Sequence, residues 1–160
     1  MSSSLRLFKS NLLSTKDLKY IPTLLNNMSL NNYDISYLYN NFIKPNKIKS
    51  QIKTNPQYNK ILFCENKLLD CYFIFWNRNS ESKIHDHSNN GCYYKLLKGS
   101  LNEYVYDTDL NIIRVNNILE DELSYIDNDI GYHKILNPEN EVAISVHVYS
   151  PPNYTMNNYE

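Results

Sequence analysis

Two of the chain's four histidines stand one residue apart, in the segment IHDHSNNGC at residues 84–92. Alternate side chains of a β-strand point to the same side, so on a strand His85 and His87 would direct both imidazoles toward one point. Imidazole nitrogen suits zinc, copper, iron and nickel. The pair therefore predicts a site for a first-row transition metal, which needs a further ligand from elsewhere in the chain.

The best candidate for the third ligand is His133, which follows Gly131 at the start of a later predicted strand. An isolated histidine is more often a packed or surface residue without a ligand role. Here the pair, the later Gly-x-His and the strand context together favour a metal site. Three imidazoles leave coordination positions open, which is typical of catalytic metals, whereas structural zinc favours closely spaced cysteines.

Cys92 ends the same segment and has three interpretations: a thiolate ligand, a nucleophile or a packed thiol. No predicted helix N-terminus precedes it to activate the thiol, so a protease-like pairing of cysteine and histidine is disfavoured. Its position at the start of a predicted strand would let the side chain face the same cavity as the histidines.

A second polar group is predicted on the segment AISVHVY at residues 143–149. The even positions are isoleucine and valine, and the odd positions include Ser145, His147 and Tyr149. On a strand this gives one apolar face and one polar face. The polar face could meet solvent, but such a face more usually carries lysine, glutamate or threonine. We therefore expect it to line a pocket, where a metal, its water and a substrate would complete its hydrogen bonds.

The elements that would position these residues change character along the chain. Apolar residues recur at helical spacing over 18–25, after a possible capping box from Ser14 to Asp17. A second helix is predicted over 33–42, and the segment 45–56 is predicted as a loop with some helix.

From Tyr58 onward, short segments rich in isoleucine, valine, tyrosine and phenylalanine alternate with turn formers. Eight strands are predicted, at residues 60–64, 69–76, 92–97, 101–106, 112–115, 123–126, 133–136 and 142–150. Regular short strands are typical of a closed or two-sheet β-structure such as a jelly roll. The sequence therefore predicts one mainly β domain over 1–160, with a helical N-terminal part at 1–57 and a small β-barrel at 58–154.

Composition limits the classes of partner. The chain has 160 residues, a formal net charge of −1 and 42% hydrophobic residues, as expected of one globular domain. This charge gives no long-range field for nucleic acid or an acidic membrane, and no run reaches transmembrane length. The odd number of cysteines and the lack of a secretory signal favour a reducing, cytoplasmic setting. We expect a monomer that acts on a small molecule.

These motifs resemble those of the cupin proteins. Cupins carry His-x-His, three or four residues, a glutamate, six residues and a glycine; here Cys92 and Gly99 follow His85 and His87 at those spacings. The replacement of that glutamate by cysteine is specific to eukaryotic-type cysteine dioxygenase. The stretches IHDHSNNGCYYKLLKGSLNEYVYD, DNDIGYHKILN and AISVHVYSPP are similar to that family's first motif, second motif and C-terminal strand.

The resemblance implies a cupin β-barrel with an Fe(II) centre held by three neutral histidines: His85, His87 and His133. It also implies a thioether cross-link between Cys92 and Tyr149, with Ser145 and His147 orienting the tyrosine. In the family, L-cysteine binds iron through its thiolate and amine, and both atoms of dioxygen reach sulfur to give cysteine sulfinate. We therefore predict a cytoplasmic cysteine dioxygenase.

Two departures from the family pattern bear on the substrate. The family binds the substrate carboxylate with a Tyr-x-Arg arrangement, whereas this chain has Tyr58 and Lys60 at those positions, and lysine lacks the planar fork of arginine. We expect Tyr58 and Lys60 to bind the substrate, with Lys53 as a weaker candidate for the charge. The sequence also extends only ten residues beyond Ser150, which we expect to leave the pocket more open.

Two alternatives follow from these departures. The lysine favours a dioxygenase of a related small thiol, such as cysteamine or 3-mercaptopropionate. The short segment after Ser150 favours a non-catalytic cupin that binds a metal or ligand.

Overall fold

The fold comes from a computed structural model that describes residues 1–43, 52–54 and 58–160, with the backbone alone at 42, 43 and 52–54. The described helices are α1 (Ser3–Ser14), α2 (Ile21–Asn26) and α3 (Asn32–Leu38), with a 3₁₀ turn at Leu18–Tyr20 and a π-helical turn at Tyr39–Ile43. Ser2 caps α1 by accepting a hydrogen bond from the Leu5 backbone N–H at 3.1 Å. None of the described helices is long and apolar enough to cross a membrane.

The described strands form two antiparallel sheets. The strands are β1 (Ile52–Thr54), β2 (Tyr58–Glu65), β3 (Asp70–Trp76), β4 (Ile84–His85), β5 (Cys92–Lys98), β6 (Leu101–Tyr106), β7 (Ile112–Ile118), β8 (Leu123–Ile126), β9 (Tyr132–Leu136), β10 (Ala143–Tyr149) and β11 (Asn158–Tyr159). A six-stranded sheet has the order β1-β2-β3-β10-β5-β8, and a five-stranded sheet has the order β11-β4-β9-β6-β7.

The six-stranded sheet is covered on both faces, and every residue of β10 is therefore buried. Ile144, Val146 and Val148 pack in one core with the helices. Ala143 and Tyr149 belong to a second core that strands of both sheets form. The period-two alternation of a strand thus sends the apolar face of β10 toward the helices and its polar face into the space between the sheets.

The helical part differs from the sequence prediction in detail. The predicted helix over 18–25 is a 3₁₀ turn followed by α2. The predicted capping box is wrong, because the Ser14 hydroxyl donates to the Asn11 carbonyl at the end of α1. Asp17 instead caps the 3₁₀ turn by accepting from the Lys19 backbone N–H at 3.0 Å.

The eight predicted strands occur, all within three residues of the predicted bounds. The prediction misses β1, β4 and β11, which have only two or three residues each and are too short to show an alternation. In the predicted loop at 45–56, residues 52–54 form β1, and the rest lies outside the described residues.

Candidate metal centre

The structure brings His85, His87 and His133 together between the sheets. His85 on β4 pairs directly in register with His133 on β9, and His87 follows two residues after His85. One nitrogen of each imidazole lies within 4.8 Å of the corresponding nitrogens of the other two. All three side chains are buried. The three predicted ligands thus form one cluster, which contains neither Cys92 nor His147.

Neighbouring hydrogen-bond acceptors fix the tautomers of two of these imidazoles. His85 donates from Nδ1 to the Lys83 carbonyl at 2.9 Å, and His133 donates from Nδ1 to Glu103 Oε1 at 2.8 Å. A carbonyl or carboxylate only accepts, so each Nδ1 carries the hydrogen and each Nε2 presents a lone pair. The two Nε2 atoms lie 3.1 Å apart. Two lone pairs at this distance repel, and a cation between them removes the repulsion.

His87 is buried, yet neither of its ring nitrogens has a hydrogen-bond partner in the described part of the chain. A buried polar atom without a partner is costly, and a metal ion would satisfy one of the two nitrogens. Its backbone is held firmly: His87 N–H donates to Asn128 Oδ1, and Asn128 Nδ2 donates to the His87 carbonyl, each at 2.8 Å. Asn128 stands in the loop that leads to β9 and so joins the two motifs.

The electrostatics of the cluster keep His85 and His87 neutral. Burial is the main cause that lowers the pKa of His85, to about 3. Burial also lowers the pKa of His87. Neutral imidazole is the form that binds a metal. The converging lone pairs, the unpartnered nitrogens of His87 and this protonation state together fit a metal ion.

Glu103 is a residue of the candidate site that the sequence analysis missed. It is fully buried, and besides His133 it accepts hydrogen bonds from Tyr94 Oη and Asn116 Nδ2, each at 2.7 Å. Burial raises its pKa, but the hydrogen bonds from His133, Tyr94 and Asn116 outweigh this and lower it to about 2. One feature of the sequence could have indicated this residue. Glu103 is a carboxylate on the same face of a predicted strand as Leu101 and Val105, both of which are buried.

The polar face of β10 lies beside the histidine cluster. Trp76 Nε1 donates to Ser145 Oγ at 2.9 Å, and Ser145 Oγ lies 2.8 Å from His147 Nε2. His147 Nδ1 lies 3.5 Å from Tyr149 Oη. Burial lowers the pKa of His147 and raises that of Tyr149, so both groups are neutral.

Cys92 lies opposite Tyr149 in the pairing of β5 with β10. Its Sγ is 3.7 Å from His147 Nδ1, and the side chain is buried. Burial raises the pKa of the Cys92 thiol. A protonated thiol outside the histidine cluster disfavours both the thiolate-ligand and the nucleophile interpretations.

Lys60 and Tyr58 lie on β2 and line the same pocket as His85, His133 and Tyr149, which we call the histidine pocket. Lys60 Nζ lies 4.2 Å from the centroid of the Tyr72 ring and 4.1 Å from that of Tyr149. The Tyr58 ring packs on Trp76 with 4.9 Å between centroids. Ile74, Ile135 and Met156 form apolar walls. The side chain of Lys53 lies outside the described residues.

Several solved structures have a similar fold. An oxalate decarboxylase from Lactobacillus farciminis has a TM-score of 0.58 at 14% identity, covering 67% of this chain and 32% of that one. A conserved protein with a double-stranded β-helix domain from Klebsiella pneumoniae has a TM-score of 0.56 at 15% identity, covering 67% and 88%. This likeness concerns the fold, and it confirms the predicted mainly β, cupin-type barrel.

Relatives by sequence are more specific. The cysteine dioxygenase type 1 of Homo sapiens is 32% identical over 105 residues, which cover 61% of this chain and 47% of the human protein. The cysteine dioxygenase type 1 of Danio rerio is 31% identical over 106 residues, with the same coverage. The chain thus spans about half the length of these curated relatives. The model of the family described as cysteine dioxygenase type I matches residues 49–160, which is more than half of the sequence. The chain therefore belongs to the cysteine dioxygenase type I family.

Proposed function

We propose that the protein is an Fe(II)-dependent dioxygenase that adds both atoms of dioxygen to the thiol of L-cysteine and forms cysteine sulfinic acid. One observation carries the proposal: three convergent histidines lie beside a cysteine paired with a tyrosine, in a chain of the cysteine dioxygenase type I family.

His85, His87 and His133 would hold the iron, each through one imidazole nitrogen. When bound, Fe(II) supplies a centre at which a thiolate and dioxygen become neighbours. The three neutral imidazoles do not offset the charge of the ion, and this favours the ionised form of a substrate thiol.

Lys60 is the residue that we assign to the substrate carboxylate. The Tyr72 and Tyr149 rings hold its ammonium at the pocket wall through cation–π contacts. Tyr58 lines the same wall and limits how the substrate can lie. Lysine acts here as a point charge, so it orients a carboxylate less strictly than the planar fork of arginine.

Tyr149 would donate a hydrogen bond to the substrate or to the oxygen that reacts with it. Burial raises the pKa of its phenol, so the hydroxyl keeps its hydrogen. His147 lies within hydrogen-bond distance of both Ser145 and the Tyr149 hydroxyl, and this chain of contacts restricts the orientation of the hydroxyl. A donor fixed in a water-poor pocket stabilises developing negative charge better than a mobile water does.

The apolar walls of the pocket would exclude water from the reacting sulfur. Ile74 and Trp76 on β3 and Ile135 on β9 line the pocket together with the histidines. Exclusion of water strengthens each polar contact in the pocket and protects reactive oxygen chemistry from side reactions.

We also propose the cross-link between Cys92 and Tyr149. A bond from Sγ to the ring carbon next to the hydroxyl replaces one S–H and one C–H bond. The two electrons and two protons released pass to dioxygen. Cys92 and Tyr149 lie opposite each other in the pairing of β5 with β10, which supports the proposal.

The further parts of the proposal concern the setting of the enzyme. We propose one cupin domain over 1–160, with a helical part at 1–57 and a barrel at 58–154, that acts as a monomer in the cytoplasm. Its partners would be a small thiol and dioxygen.

Oxygen uptake by the Fe(II)-loaded protein with L-cysteine tests the function directly. We expect uptake together with cysteine sulfinic acid, and neither with a His133→Ala variant that keeps its secondary structure by circular dichroism. No oxygen uptake with any small thiol by wild-type protein of measured iron content would contradict the proposal and favour a non-catalytic cupin.

Lys60 supports a second candidate substrate, a related thiol such as cysteamine or 3-mercaptopropionate. The Lys60→Met variant tests whether Lys60 binds a carboxylate, by comparing cysteine with cysteamine. Loss of a charged hydrogen bond should raise the KM for cysteine about tenfold or more and leave the KM for cysteamine, which has no carboxylate, unchanged. An equal change for both thiols would argue against carboxylate binding by Lys60.

A further inference from the structure

Asp86 stands between two of the histidines, but its side chain points away from them and binds a distant segment of the chain. Its Oδ1 accepts from the Tyr154 hydroxyl and from the Asn157 backbone N–H, the latter at 2.7 Å. Its Oδ2 accepts from Asn157 Nδ2 at 2.7 Å and from Tyr159 Oη at 3.2 Å. All of these donors belong to residues 154–159, which we call the strap.

Further contacts hold the strap along β4. Within β11, Asn158 pairs with His85 and Tyr159 pairs with Ile84. The Tyr159 ring stacks on Tyr132 with 4.3 Å between centroids and 7° between planes. The strap therefore pairs with the strand that carries His85, and the ring of Tyr159 reaches the strand that carries His133.

One strap side chain reaches the histidine pocket. Tyr154, Met156 and Tyr159 are partly buried, while Thr155 and Asn157 are exposed. Tyr154 and Tyr159 bond to Asp86, and Met156, between them, lines the pocket with His85 and Ile135. The expectation that the short segment after Ser150 leaves the pocket open is therefore not met at this wall.

We propose that Asp86 is a positioning residue that fastens the strap across the pocket, and that Met156 on the strap limits the size of the thiol that can reach the histidines. This inference rests on the proposed function in taking a small thiol as the ligand. A carboxylate that accepts several hydrogen bonds holds a segment more strongly than isolated neutral contacts do. Methionine is flexible, so it needs such an anchor to act as a fixed wall.

Hydrogen exchange measured by mass spectrometry tests the anchor on the full chain, with and without added Fe(II). In the Asp86→Ala variant, a peptide that covers the strap should exchange about tenfold faster. Asp86→Asn, which keeps one accepting oxygen, should give an intermediate rate. Asp107→Asn is the matched control, because Asp107, like Asp86, accepts hydrogen bonds from the backbone and from an asparagine side chain, but in the turn between β6 and β7. Unchanged strap exchange in Asp86→Ala and Asp86→Asn would overturn the anchor.

Thiol binding tests Met156 without turnover. Dissociation constants of L-cysteine and of penicillamine, which carries two extra methyl groups, are read from the visible absorption of the Co(II)-loaded protein under nitrogen. The dissociation constant of penicillamine divided by that of L-cysteine should fall about tenfold in Met156→Ala. The same ratio should change little in Met156→Leu.

The two measurements separate this inference from the proposed function. Oxygen uptake with L-cysteine, but an unchanged ratio in Met156→Ala, would refute the size limit and leave the dioxygenase proposal intact. A shifted ratio without oxygen uptake would support the strap and contradict the dioxygenase. Absence of thiol binding by the wild-type protein would refute the role of Met156.

Discussion

Each of the three clustered histidines is held by hydrogen bonds to atoms other than the ring nitrogen that would bind a metal. His85 and His133 are fixed through Nδ1, and His87 is fixed through its backbone by Asn128. Side chains held in this way lose little further freedom when they bind an ion, so more of the binding energy remains for affinity.

At this residue scale, Glu103→Gln should weaken metal binding about 10- to 100-fold. Glutamine has about the volume of glutamate, but its amide N–H groups would face other donors. In the wild type, His133, Tyr94 and Asn116 all donate to Oε1 or Oε2 of Glu103. Competition with a coloured chelator for Zn²⁺ measures the affinity. Glu122→Gln is the control, because Glu122 is an exposed carboxylate that accepts from the Leu119 N–H. Equal affinity in Glu103→Gln and wild type would contradict this role.

The cross-link is a second prediction at the residue scale. After turnover, a fraction of the wild-type protein should be two hydrogens lighter by intact mass, and neither Cys92→Ala nor Tyr149→Phe should show this species. Cys64 and Cys71 pair across β2 and β3, and a disulfide there would cause the same loss. The sample must therefore be reduced before measurement, which breaks a disulfide but leaves a thioether. Cys92→Ala should lower activity without abolishing it, because the metal ligands remain.

At the scale of elements, the approach to β9 depends on one backbone conformation. Gly131 has φ +143°, and a Cβ there would collide with the Tyr106 carbonyl oxygen on β6. The pairing of β9 with β6 and β4 fixes this close approach and thereby places His133 opposite His85. Only glycine fits both the angle and the space.

Gly131→Ala should therefore reduce both the free energy of unfolding, measured in urea, and metal affinity. Gly99→Ala is the matched control, since Gly99 has φ +89° but its Cβ would meet Ala143 less closely, at 3.1 Å from its Cβ and 3.3 Å from its Cα. We expect Gly99→Ala to lower the free energy of unfolding by about 1–2 kcal/mol without a change in metal affinity. Gly131→Ala should lower the free energy of unfolding by more. Equal losses from the two variants would argue against the steric explanation.

At the scale of the whole molecule, the layered fold keeps several histidines neutral in a dry interior. Burial lowers the pKa values of His85, His87 and His147 in the folded state. In the unfolded state a histidine has a pKa of about 6.5. Below that pH the unfolded chain binds protons that the folded chain does not, so acid favours unfolding.

The metal-free protein should consequently be most stable above about pH 6.5 and lose up to about 1.4 kcal/mol per pH unit for each of these histidines below it. For His85 the loss continues toward its folded pKa of about 3. Urea unfolding at pH 7.5 and 5.5 in a chelator measures this difference, and His147→Gln should reduce it by one histidine's share. A free energy of unfolding that is equal at the two pH values would show that these imidazoles are not held neutral.

Much of the metal centre followed from the sequence by itself, because it depends on local order. The spacing of His85 and His87, the glycine before His133 and the alternation along β10 are short-range features, and a strand turns each into a direction in space. The same alternation yielded the mainly β fold. The capping box failed because a serine near a helix end bonds as readily backward as forward along the chain.

Only the tertiary structure decided the partners of these residues. Glu103 meets His133 through the pairing of β6 with β9, Asn128 meets His87 across a loop, and Asp86 meets the strap 71 residues further along the chain. Each contact depends on strand register and layer packing, which a periodic pattern does not encode, because many registers bury the same apolar face. The sequence thus determined which residues can bind a metal, and the packing of the sheets decided what holds them in place.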